Sequence, residues 1–168
     1  MTSHPHHENP DPTKAEVHAH AAAARARKKA EAEAIGIDAD FVSLFVEAFY
    51  TRIREDDLLG PIFASRIKDW DLHLGRMKSF WRSILHNSGE FSGNPMAKHL
   101  ALPGIEERHF AHWLEVFYAT LRDLERDPQA TRLVGTRARM IADSLLTGIA
   151  MHGSGIKGAR AGEGLPHI

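Results

Sequence analysis

The chain has 168 residues, room for one ordinary domain, and an apolar fraction of 43% that suffices for a core once polar ends are set aside. Its formal net charge is -1 at pH 7, and basic residues are scattered among acidic ones, so no electrostatic footprint exists for nucleic acid or an anionic membrane surface. There is no cysteine, which excludes disulfides, thiolate zinc sites, iron-sulfur clusters and thiol nucleophiles; any metal falls to carboxylates or to the 12 histidines.

Residues 1–36 read as a flexible Ala/His-rich leader. They open on the polar MTSHPHHENPDP, where a signal peptide would be apolar, and continue as an Ala/Arg/Lys/Glu run from Ala15 to Ala34. That run is helical by propensity but carries almost nothing with which to dock. No window approaches the roughly 18 consecutive apolar residues of a membrane span, so the expected location is the cytoplasm, with no membrane partner.

The folded domain is expected over 37–152. Asp38 or Asp40 caps a first helix whose apolar stripe runs through Phe41, Val42, Phe45, Val46, Phe49, Tyr50 and Ile53 and ends near Asp56. A break at Gly60-Pro61 precedes Ile62 and Phe63. A second helix starts near Asp69, with Trp70, His73, Leu74, Met77, Phe80, Trp81, Ile84 and Leu85 on one face. SGEFSGNP is loop by composition, and Pro95 opens a very short helix, Met96 to Leu100, stopped by Pro103-Gly104. A third long helix, from about Ile105 to Arg126, carries Phe110, Trp113, Leu114, Phe117, Leu121 and Leu124. After Asp127-Pro128 comes a fourth, roughly Gln129 to His152. The Gly-rich end, 153–168, reads as a mobile tail.

No segment alternates as a half-buried strand does, so the class is all-α. The helices form either a plain bundle or two antiparallel pairs crossed over something lodged between them, and the aromatic load on the inward faces favours the second. Tyr50, His73 and Trp113 place polar atoms within apolar stripes on three helices. Buried donors need partners, and a polar ligand between the helices would satisfy all three. His99 lies on a helix too short to hold itself by propensity, and a neutral imidazole is a good iron ligand that would anchor it. His109 and His112, three apart, are a weaker metal pair that lacks a third ligand; His4, His6, His7, His18 and His20 read as solvated, as do the charges of RIRED.

The segments FYTRIREDDLLGPIF, DWDLHLGRMKSFW, GEFSGNPMAKHLALP and HFAHWL, in this order from about Phe41 to Met151, resemble the group III truncated haemoglobins. The resemblance implies a two-over-two helical sandwich around haem b. It implies His99 as the proximal ligand to the metal, with Tyr50, His73 and Trp113 on the distal side stabilising the bound ligand. It further implies Phe63 wedged against the porphyrin, Met77 and Trp81 on the same wall as His73, Phe110 lining the cofactor, and Arg76 near a propionate, a place Lys78 or Arg108 could also fill. The ligands so implied are diatomic, O2, NO or CO, or peroxide, with an unidentified reductase as partner. Strong distal donors suit nitric-oxide dioxygenation or peroxidase-like chemistry better than oxygen transport. Two alternatives are a six-coordinate haem-based sensor or electron-transfer protein, with His73 as second ligand, and a cofactor-free helical interaction domain.

Overall fold

A computed structural model describes residues 12–154 and 161–168. Among the described residues the regular structure is entirely helical: α1 (Lys14–Ala34), α2 (Ala39–Glu55), α3 (Gly60–Arg66), α4 (Trp70–Leu85), α5 (Pro95–Leu100), α6 (Glu107–Asp123) and α7 (Pro128–Ser154). Side-chain caps set several of the starts. Asp38 accepts from the Phe41 N–H at 2.7 Å, Asp69 from the Leu72 N–H at 3.1 Å, and Asn94 from the Ala97 N–H at 3.1 Å. Each cap satisfies a donor the helix cannot, worth about 1 kcal/mol.

Helix α2 packs on α4, α6 packs on α7, and α2 also crosses α6, which joins the two pairs. This is the crossed-pair arrangement. The crossing is filled by rings: Phe49 meets Phe117 at 5.0 Å and Phe45 meets it at 5.8 Å. Trp113 stacks on Phe117 at 5.4 Å and Phe117 on Trp81 at 5.3 Å, so a three-ring ladder runs through the centre. Short helix α5 rests on α7, where the Met96 thioether lies over Gly148 and occupies the place a side chain there would take.

Three features differ from the sequence expectation or refine it. The Gly60-Pro61 break is the first turn of α3. Proline is tolerated there because its missing N–H would be unpaired anyway, and the Asp56 carboxylate takes the N–H groups of Leu58 and Leu59 at 3.0 and 2.8 Å. Gly60 is required by closeness, since a Cβ on it would lie 3.0 Å from the Arg54 carbonyl oxygen. In the leader, α1 opens with a reciprocal capping box between Thr13 and Glu16, stays exposed over nearly all its length and joins the core at Ala32. His18 and His20 lie on its exposed surface, whereas His4, His6 and His7 lie outside the described residues.

The expected mobile tail is corrected at residues 161–168, which pack onto α6 and α7; residues 155–160 lie outside the described residues. Leu165 is only 2% exposed, the Tyr118 hydroxyl donates to the Pro166 carbonyl at 2.8 Å, and Ile168 rests on Gly135. The Arg139 guanidinium donates to the carbonyls of Gly162, Glu163 and Leu165 at 3.2–3.4 Å. Glycine here serves close packing, since Gly162 leaves no room for a Cβ beside Asp143.

Gly60→Ala should lower stability by roughly 1–3 kcal/mol, because backbone surrounds the new methyl group. Gly75→Ala, at a helical site with open space around it, should raise stability by about 0.5–1 kcal/mol. Thermal unfolding of the two variants should therefore shift in opposite directions, by about 2–4 °C for each kcal/mol.

Candidate functional site

The polar interruptions of the helical stripes converge. Tyr50, 6% exposed on α2, meets the His73 ring of α4 edge-on at 4.9 Å and the Phe63 ring of α3 at 5.9 Å. Phe49 links this group to α6, touching Tyr50 at 5.0 Å and Trp113 at 5.4 Å, both edge-on. Trp113 thus joins the cluster through Phe49. These placements follow from helical spacing: Phe49 and Tyr50 continue the buried face of α2, while Trp113, three residues after Phe110 and four before Phe117, sits on the buried face of α6.

Electrostatics fix the protonation states. Burial pushes the Tyr50 phenol well above its ordinary range, so it remains a hydroxyl and a donor. Burial also lowers the His73 imidazole, assisted by the positive charges of Lys98 and Arg76, to about 4, leaving it neutral near pH 7. His73 Nε2 is buried and has no partner among the described residues. Leaving such an atom unsatisfied costs about 1–3 kcal/mol, so a hydrogen-bonding partner at this position would stabilise the cluster.

His99 faces a different requirement. Its Nδ1 lies 2.7 Å from the Pro95 carbonyl oxygen one turn earlier. A carbonyl only accepts, so Nδ1 carries the proton and the Nε2 lone pair is free for a metal. The ring lies 6.2 Å from Phe110 of α6, tilted at 32°. Helix α5 packs on α7 and α4 packs on α2, and no substantial backbone packing joins α4 to α5, α6 or α7 among the described residues. The facing apolar side chains of α4, Leu74, Met77, Phe80 and Ile84, are only half-buried, as are His99 and Leu100 of α5. An apolar planar group with one open metal coordination position fits these residues. It would receive a nitrogen lone pair from one side, apolar walls, and uncharged donors from the other.

Not every expected residue lies at this cluster. Trp81, expected on the wall beside Met77, is 4% exposed and makes its ring contacts with Phe45, Phe80 and Phe117 inside the core. Arg76 is exposed, and its charge reaches His73. Lys78 pairs with Glu47 at 2.6 Å and Arg108 with Glu106 at 3.5 Å. The two paired histidines have structural partners. His109 Nδ1 accepts the Glu106 N–H at 3.0 Å, and His112 Nε2 contacts Asp56 at 2.5 Å. Among the described residues no group of His, Asp and Glu is assembled that could hold a metal ion.

Sequence reasoning passed over three residues at the site. Trp70, 6.2 Å from Tyr50 and 5.8 Å from His73, was legible as the ring three positions before His73. Arg54, whose guanidinium carbon lies 4.5 Å from the Trp70 ring centre, gave no signal, because a cation in RIRED looks like any solvated charge. Lys98, beside His99, acts on His73 across the gap between α5 and α4, a relation between helices that sequence spacing does not reveal.

Comparison with known proteins identifies the family and its fold. Residues 32–144 match the family model described as bacterial-like globin. A group 3 truncated haemoglobin of Campylobacter jejuni is 32% identical over 110 residues, which cover 63% of this chain and 86% of that protein. The crystal structure of a group III truncated haemoglobin from Campylobacter jejuni superposes with a TM-score of 0.64 at 30% identity, covering 70% of this chain and 95% of that one. The chain belongs to the bacterial-like globins and, within them, to the group III truncated haemoglobins, a haem-binding family with this all-α crossed-pair fold.

Proposed function

We propose that this globin would hold haem b through His99, leaving the iron five-coordinate, and would use Tyr50, His73 and Trp113 to retain a small ligand for reaction and not for bulk oxygen transport. The observation that carries the reading is the His99 ring: one nitrogen is committed to the Pro95 carbonyl and the other is free. Haem iron, when bound, supplies the redox centre at which O2, NO, CO or peroxide is captured. The Pro95 carbonyl, by accepting the Nδ1 proton, orients the imidazole and raises its basicity. Phe63, Met77 and Phe110 offer apolar walls, and Arg76 a cation for a propionate. Trp81 supports the site from within the core.

On the distal side Tyr50 and Trp113 each have a definite proton to donate. Tyr50 donates because burial keeps its phenol protonated. Trp113 carries an indole N–H that can only donate. Neutral His73 offers its unpaired Nε2. A hydrogen bond to a partly anionic ligand is worth about 1.5–3 kcal/mol, which slows release about tenfold or more per bond. Such retention suits dioxygenation of nitric oxide or peroxidase-like turnover, fed with electrons by a reductase in the cytoplasm. No described helix is long and apolar enough to cross a membrane.

The same unpaired Nε2 favours a second reading, an iron coordinated by both His73 and His99, as in a sensor or electron carrier. The edge-on contact of His73 with Tyr50 counts against it, since ligation would break that packing.

Absorption spectra separate these readings. The purified wild-type protein should show a Soret band, and the reduced, ligand-free form should be five-coordinate. His99→Ala should lose that axial signature, while His73→Leu should leave it intact. Colourless protein expressed with ample haem would restore the cofactor-free interaction domain, and a six-coordinate ferrous spectrum abolished in His73→Leu would favour the sensor.

Tyr50→Phe should accelerate oxygen dissociation about tenfold or more, the worth of one such bond. An unchanged off-rate, measured by stopped-flow displacement, would remove Tyr50 from the distal role.

A further inference from the structure

We infer that Trp70, held in place by Arg54, sets the rate at which small uncharged ligands reach the distal cluster. The inference rests on the haem reading above and adds residues to it. The order of groups from solvent inward carries it. Arg54 is exposed near the end of α2, and its guanidinium carbon stands 4.5 Å from the centre of the Trp70 ring. Trp70, half-buried in the first turn of α4, meets the His73 ring edge-on at 5.8 Å and lies 6.2 Å from that of Tyr50. Beyond it, His73 Nε2 is shut off from solvent and unpartnered. The His73 ring is itself half-buried, and an approach to its enclosed Nε2 between the end of α2 and the start of α4 would pass the indole.

The way this cover is fastened suits a part that moves. Among the described residues the Trp70 indole makes no hydrogen bond; ring contacts and the overlying cation restrain it. Two side-chain torsions are enough to swing it, and nothing in the main chain must break. The Arg54 main chain is fixed independently, since its carbonyl is where Gly60 of α3 makes its close approach. The root of the clasp is therefore rigid while its guanidinium end reaches the ring. Sliding of a cation off an aromatic face is a weak barrier, of the size expected for a gate that opens thermally.

Carbon monoxide recombination after flash photolysis of the ferrous holoprotein tests this directly. Trp70→Ala should raise the bimolecular association rate by more than loss of the Arg54 contact does, and Trp70→Phe, which keeps a ring, should recover most of the slow rate. Arg54→Gln should raise it about two- to fivefold, the loss of one exposed cation–π contact. Arg54→Lys, which keeps the charge, should stay near wild type. Should Trp70→Ala fail to retain haem, the surface variant Arg54→Gln decides. A full Soret band with association rates unchanged in Trp70→Ala, or in Arg54→Gln where that variant decides, overturns the gate and leaves the haem reading standing. Colourless wild-type protein overturns both.

Discussion

Six residues cannot sustain a helix in water, yet the proposed iron ligand sits on one. The position of His99 therefore depends on what α5 leans against. Asn94 caps it, Met96 drops its thioether over Gly148 of α7, and Phe110 of α6 stands beside the imidazole. The Pro95 carbonyl then decides which nitrogen carries the proton. Helix α7 is thus the foundation of the site, and the Leu165 and Arg139 contacts that brace its outer side bear on a region that reads from sequence as a mere end.

The proposed distal side follows a different logic. Its polar atoms arrive on helices whose other inward residues are apolar, so each retains its neutral form, and Tyr50 and His73 are pushed in opposite directions by the same burial. Farther out, Asp56 joins two parts of this wall. One oxygen starts α3 by taking the Leu58 and Leu59 N–H groups, and the other meets His112, next to Trp113 on α6. The carboxyl is held below its usual range despite its burial, through His112 and those two N–H groups. The corner that carries Phe63 and the helix that carries Trp113 are thereby tied together.

Much of this was legible from residue order. The 3.6-residue stripes located α2, α4, α6 and α7, and their polar interruptions singled out Tyr50, His73 and Trp113. The inward-facing aromatics favoured crossed pairs over a plain bundle, and the helix packing has that form. The rest was hidden for physical reasons. Gly60-Pro61 has the composition of a break and the geometry of a helix start, because the deciding partner, Asp56, lies outside the dipeptide. The terminal glycines look flexible until Asp143 and Arg139 lie beside them. Trp81 shares a face with Met77, yet one more turn along α4 it packs against α2 and α6 in the ring ladder. Arg54 and Lys98 act across gaps between helices, and charge carries no periodicity.

A chain with no cysteine has surrendered the thiols that usually absorb stray oxidising equivalents. The soft atoms near the site are then thioethers, among them that of Met96, seated on Gly148 where α5 meets α7. Sulfoxidation there would add a polar oxygen where α5 meets α7, and would bear on the imidazole proposed to hold the iron. Oxidative wear at that thioether would therefore reach the proposed ligand through its support and leave the α2–α4 cluster untouched.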